Sequence, residues 1–136
     1  MRILLIEDEM LIAREQQLYL EDAGHEVAGP ATDADQAVAF SSAGTYDLAL
    51  VDVHLARGTS GIDAARHLSG IGIPCLFVTS HPEGVVAERL GMGCLLKPFG
   101  AADLVAAVNV AGARLRGEPL PALPRNLILF DDPPSA

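Results

Sequence analysis

Basic residues are scarce in this chain. Lys and Arg total 9 against 18 Asp and Glu, for a formal net charge of −9. A nucleic-acid-binding surface needs clustered cations to displace counterions, so that class of function is disfavoured. All the basic residues but one are arginines; Lys97 is the single lysine. No apolar run approaches the length of a membrane span. The N-terminus begins directly on the strand-like MRILLI, without the charged, apolar and cleavage regions of an export signal. Only two cysteines are present, Cys75 and Cys94, both in apolar stretches and without metal-ligand spacing. Their number and setting predict a reducing, cytoplasmic environment. Neither glycine-rich fingerprint of the dinucleotide or P-loop enzymes occurs. What remains is 136 residues, 50% hydrophobic, enough for one acidic domain with a proper core.

Short apolar runs alternate with helical patterns along most of that length. Strands are expected at Ile3–Ile6, His25–Ala28, Leu48–Val51, Pro74–Val78 and Cys94–Leu96. Helices are expected at Met10–Ala23, Asp33–Ser42 with Thr32 as N-cap, Gly61–Leu68, Glu83–Leu90 and Ala101–Arg116. The strands are continuously apolar rather than alternating, the pattern of a parallel sheet covered on both faces. The expected fold is therefore α/β, with a doubly wound five-stranded parallel sheet flanked by five helices. In such sheets the binding crevice lies outside the carboxyl ends of the strands.

Polar residues collect at those ends. The first strand ends at Glu7-Asp8-Glu9, the third at Asp52, the fourth at Thr79-Ser80-His81 and the fifth at Lys97-Pro98. Carboxylates brought together this way repel unless a cation separates them. A hard ion such as Mg²⁺ suits oxygen ligands and a phosphate. Asp52, at the end of the most apolar strand, is placed to attack a phosphoryl donor and form an acyl phosphate. Mg²⁺ and Lys97 would stabilise the transferred charge, and Thr79 would hydrogen-bond a phosphoryl oxygen.

The pieces ILLIEDE, LALVDVHL, the Thr79 strand end and LLKPF resemble the receiver domain of two-component response regulators, over about residues 2–116. That resemblance implies a flavodoxin-like strand order of 2-1-3-4-5 and Asp52 as phosphoacceptor. It implies Asp8 as direct metal ligand and Glu7 as a ligand through water. The backbone carbonyl of His54 would complete the protein's share. Thr79 and Lys97 would bind the phosphoryl group, and the Lys97–Pro98 bond would be cis. One departure stands out: the position three before the lysine, usually an aromatic switch residue, is Cys94. With FVTSH at 77–81, this is similar to a subgroup of alphaproteobacterial single-domain receivers associated with HWE/HisKA2 sensor kinases and general stress signalling. Receivers dock the kinase's phosphohistidine domain through the first helix and the loop after strand five. Leu11, Leu18, Pro98 and Phe99 are expected to take part here.

His54 and His81, two positions beyond Asp52 and Thr79, would tune phosphate lifetime by orienting or blocking the hydrolytic water. His25 and His67 read as surface residues. Cys75 and Cys94 read as small core residues. Residues 117–136 read as a tail, flexible or acting as a dimerisation arm. It carries five prolines (Pro119, Pro121, Pro124, Pro133, Pro134) and one apolar run, Leu127, Ile128, Leu129 and Phe130. That run would either fold back on its own domain or cross to a second copy as a homodimer.

The resulting expectation is a stand-alone response regulator that accepts a phosphoryl group on Asp52 from a sensor histidine kinase or phosphotransfer protein, with Mg²⁺. It would signal by protein binding or phosphate diversion, with no enzymatic turnover beyond its own phosphorylation and dephosphorylation. A phosphorylation-independent interaction module with the same fold is the alternative. A small-molecule aspartyl phosphatase is disfavoured because His54 stands where a second Asp is normally found.

Overall fold

The apolar runs fold as strands buried on both faces. In the computed structural model, which describes residues 1–55 and 60–131, the strands are β1 (Arg2–Ile6), β2 (Glu26–Ala31), β3 (Leu48–Asp52), β4 (Cys75–Thr79), β5 (Gly93–Leu96) and β6 (Leu127–Leu129). The helices are α1 (Met10–Asp22), α2 (Ala34–Ala43), α3 (Gly61–Gly70), α4 (Glu83–Glu88) and α5 (Ala101–Leu115). The strand alternation splits the core into two layers. Ile3, Leu5, Leu50, Leu76 and Leu95 pack with Leu20 of α1 and with Leu104 and Val108 of α5. Leu4, Ile6, Val51, Phe77 and Cys94 pack on the other face with Ala37 of α2, Leu68 of α3 and Val85 of α4.

The sheet order is β2-β1-β3-β4-β5-β6. The first five strands are parallel in the expected order, and β6 is added antiparallel to β5. No helix among the described residues is long and apolar enough to cross a membrane.

Local readings differ at several points. Strand β2 continues past Ala28 through the cis Gly29–Pro30 bond to Ala31; as an edge strand it tolerates a residue with no N–H to donate. The Lys97–Pro98 bond is cis as expected. Asp33, not Thr32, caps α2, accepting from the Gln36 amide at 2.8 Å. Thr32 instead pairs its amide and hydroxyl with the Gln36 side chain at 2.8 and 2.9 Å. The buried face of α1 is Ala13, Gln16 and Leu20. Ile12 and Tyr19 are half-buried and Ala23 is exposed. His25 is half-buried rather than superficial, with Nδ1 3.0 Å from the Met1 amino group. Burial, followed by that positive charge, lowers its pKa below the ordinary imidazole value.

The tail run 127–130 lies on its own domain. After α5 the chain passes through Pro119, Pro121 and Pro124 without regular structure and returns along β5. Leu127 and Phe130 are buried, Leu127 in the α1/α5 layer and Phe130 in the other. Phe130 donates its amide to Met92 O at 2.9 Å, and Arg114 donates to Phe130 O at 2.9 Å. The Arg89 guanidinium stacks 5.1 Å from the Phe130 ring centroid. Residues 56–59 of the loop after β3, and the Pro133-Pro134 pair, lie outside the described residues.

Candidate functional site

Sheet topology brings the strand-end residues together. Strands β1 and β3 are neighbours whose connections leave in opposite directions, so a crevice opens between their carboxyl ends. Asp52 is the last residue of β3, and Glu7 and Asp8 follow β1. Thr79 ends β4, and Lys97 follows β5. A cleft of about 340 Å³ here is lined by Asp8, Glu9, Asp52, His54, Leu55, Thr79, Ser80, His81 and Lys97.

Lys97 is the electrostatic centre of the group. Its Nζ donates to Asp52 Oδ2 at 3.1 Å and lies 3.8 Å from Glu7 Oε2. Its backbone is fixed by a 3.0 Å bond from its amide to Thr79 O. Asp52 Oδ1 accepts the His54 amide at 3.1 Å, leaving the carboxylate held at both oxygens. Thr79, itself buried, accepts the His81 amide on its hydroxyl at 2.9 Å. Carboxylate oxygens of Glu7, Asp8 and Asp52 lie within 4.8 Å of one another, a grouping that can hold a metal ion.

One ammonium does not neutralise three carboxylates. Glu7, only 1% exposed, carries the consequence: its pKa is pushed up to about 8. Burial is the main cause, followed by its hydrogen bond and repulsion with Asp52; Lys97 opposes both. A divalent cation would remove this frustration, and an all-oxygen donor set suits Mg²⁺. The donors present therefore fit the ion expected from the sequence.

The comparisons with known proteins agree with this geometry. The sequence profile of the response regulator receiver domain matches residues 3–109. The chain belongs to that family. This receiver is 38% identical over 113 residues to the phyllosphere-induced regulator PhyR of Methylorubrum extorquens, covering 80% of this chain and 42% of that one. It is 34% identical over 120 residues to the transcriptional regulatory protein PdtaR of Mycobacterium tuberculosis, covering 85% and 58%. It thus spans about half the length of these curated relatives. Among solved structures, PhyR from Brucella abortus is similar with TM-score 0.68 and 37% identity, over 76% of this chain and 44% of that one. The PhyR receiver domain of Erythrobacter litoralis gives TM-score 0.75 at 27% identity, covering 99% and 95%. The PhyR relatives fit an alphaproteobacterial, PhyR-like receiver, and this chain is a receiver-domain response regulator of the two-component type.

His54 and His81 are exposed at the cleft mouth, their rings edge to face with centroids 5.9 Å apart. Cys94 is fully buried in the α2/α3/α4 layer, and burial raises its thiol pKa; Cys75 is likewise buried, its thiol pushed up to about 12 by burial. Beside Lys97 a second groove of about 450 Å³ runs between α1 and the loop after β5, lined by Ile12, Glu15, Gln16, Tyr19, Ser80, Pro98 and Phe99 as well as the lysine. Pro98 and Phe99 line it. Leu11 and Leu18, 84% and 53% exposed, stand on α1 outside it.

Two contributors escaped the sequence reading. Glu9 donates its amide to Glu7 Oε1 at 3.3 Å, a backbone role that no side-chain pattern reveals. Gly61, at the start of α3, presses on the Asp52 carbonyl so closely that a Cβ would overlap it. Gly61 was visible as the start of an expected helix, but its contact with β3 was not.

Proposed function

We propose that Asp52 accepts a phosphoryl group from a phosphohistidine on a sensor kinase or phosphotransfer protein. The observation that carries this reading is Lys97 Nζ 3.1 Å from Asp52 Oδ2, within a carboxylate group suited to a divalent cation. An Asp52 oxygen attacks phosphorus, the P–N bond to the donor imidazole breaks, and the imidazole leaves with a proton. Glu7, Asp8, Asp52 and the His54 carbonyl would hold Mg²⁺, which neutralises charge on the transferred oxygens. Lys97 binds one phosphoryl oxygen and the Thr79 hydroxyl another. His54 and His81 flank the approach of the hydrolytic water and set the lifetime of the acyl phosphate.

The donor docks on exposed Leu11 and Leu18 of α1 and on the adjoining groove with Pro98 and Phe99. Phosphorylation biases an existing conformational equilibrium, and the output is protein binding or phosphate diversion. Acetyl phosphate with Mg²⁺ tests the reading: intact-mass analysis is expected to show one phosphoryl adduct, absent in Asp52→Asn. An unmodified wild-type chain under these conditions would instead favour the phosphorylation-independent module.

A further inference from the structure

The residue before the lysine is held by the far end of the chain. Leu96 turns both its backbone groups toward the outer edge of β5. Its amide donates to Asn126 O at 2.9 Å, and its carbonyl accepts from Asn126 Nδ2 at 3.1 Å. The next amide, that of Lys97, points the opposite way to Thr79 O. The strand is therefore clamped from both sides at the step where it delivers the ammonium to Asp52. Without the Asn126 side chain the Leu96 carbonyl loses its partner, while the Leu96 amide keeps the backbone carbonyl of residue 126.

The clamp is specific to Asn126. Its Oδ1 is buried with no hydrogen-bond partner among the described residues. A leucine would fill similar volume without burying an orphaned oxygen, so what the amide adds is the bond to Leu96 O. Strand β6 brings it there, and β5 is shaped to receive that strand. Gly93 has φ +146, and a Cβ on it would overlap the Ile128 carbonyl. Arg89 and Arg114 then fasten Phe130 beyond the strand.

We propose that Asn126 is a positioning residue for Lys97, and that the C-terminal strand is thereby part of the phosphorylation site. The catalytic consequence rests on the function proposed above; the structural one does not. Because Lys97 is the only lysine, selective ε-¹³C-lysine labelling gives a single side-chain signal. Asn126→Ala and Asn126→Leu are expected to move that signal toward its position in Asp52→Ala, where the ion pair is gone. Gly93→Ala, which displaces β6, is expected to do the same. In acetyl phosphate assays Asn126→Leu should slow phosphorylation about tenfold, less than the roughly 10²-fold that a 1 Å misplacement can cost. In a Lys97→Ala background it should have no further effect. A Lys97 signal unmoved in both Asn126 variants overturns the proposal, as does movement only in Gly93→Ala. So does an Asn126→Leu effect that persists without the lysine. If the wild-type chain takes no phosphoryl group, the function fails and the lysine signal still decides the positioning role.

Discussion

At the carboxyl ends of β1 and β3, three carboxylates crowd within 4.8 Å of one another, and two of them share one ammonium. The outer edge of β5 is closed by neutral hydrogen bonds, a buried leucine and a stacked ring. The first region is unfavourable as it stands, with a buried glutamate whose pKa rises to about 8. The second satisfies most of its polar groups with chain that returns from 30 residues away. The difference separates charge kept for chemistry from packing kept for stability. Lys97 joins the two: its side chain lies in the first region, and the residue before it, Leu96, is held by the second.

The largest effect should come from removing that link. Lys97→Ala is expected to slow phosphorylation by acetyl phosphate by roughly 10²–10³-fold, as loss of a principal charge stabiliser does. A loss of only a few-fold would mean that the cation site works without the ammonium. Next, Phe130→Ala should destabilise the chain by about 3 kcal/mol in denaturant unfolding. It should also free the amides of β6 to hydrogen exchange while leaving Mg²⁺ binding to the acidic cluster intact. Loss of Mg²⁺ binding in this variant would erase the division between the regions.

A smaller effect concerns pH. An unfolded glutamate loses its proton near 4.5, while Glu7 in the folded chain keeps its proton up to about 8. Between those values the folded state binds more protons, so metal-free stability falls as pH rises. The slope is at most about 1.4 kcal/mol per pH unit. Glu7→Gln should flatten this dependence, and Mg²⁺ should reduce it in the wild type, as thermal unfolding from pH 4.5 to 8 can record. The smallest expected change is kinetic: His54→Ala and His81→Ala should each alter the acyl phosphate half-life a few-fold without changing stability. Unchanged half-lives would leave the two rings as ordinary surface groups.

Much of the acidic region was legible beforehand because its members sit at strand ends. Glu7, Asp8, Asp52, Thr79 and Lys97 each follow an apolar run, and a parallel sheet carries such positions to one rim. The edge of β5 was not legible in the same way. Leu127–Phe130 reads as a strand with no stated partner, and the choice between its own domain and another chain depends on what β5 offers. Nor does any local pattern connect Asn126 with Leu96. Burial of Gln16 is equally hidden: glutamine is mostly a surface residue, yet its place on α1 faces inward.

The sequence by itself determined the fold class, the order of the parallel strands and the group of side chains at their ends. The fold class and the strand-end group follow from hydrophobic periodicity, and the strand order from the resemblance to receiver domains. Only the tertiary structure decided how far Glu7 is desolvated, that Gly61 must lie against Asp52, and that the tail closes β5 through Asn126. Burial, close approach and edge pairing depend on distances between residues remote in the chain, and those distances exist only after the layers have packed.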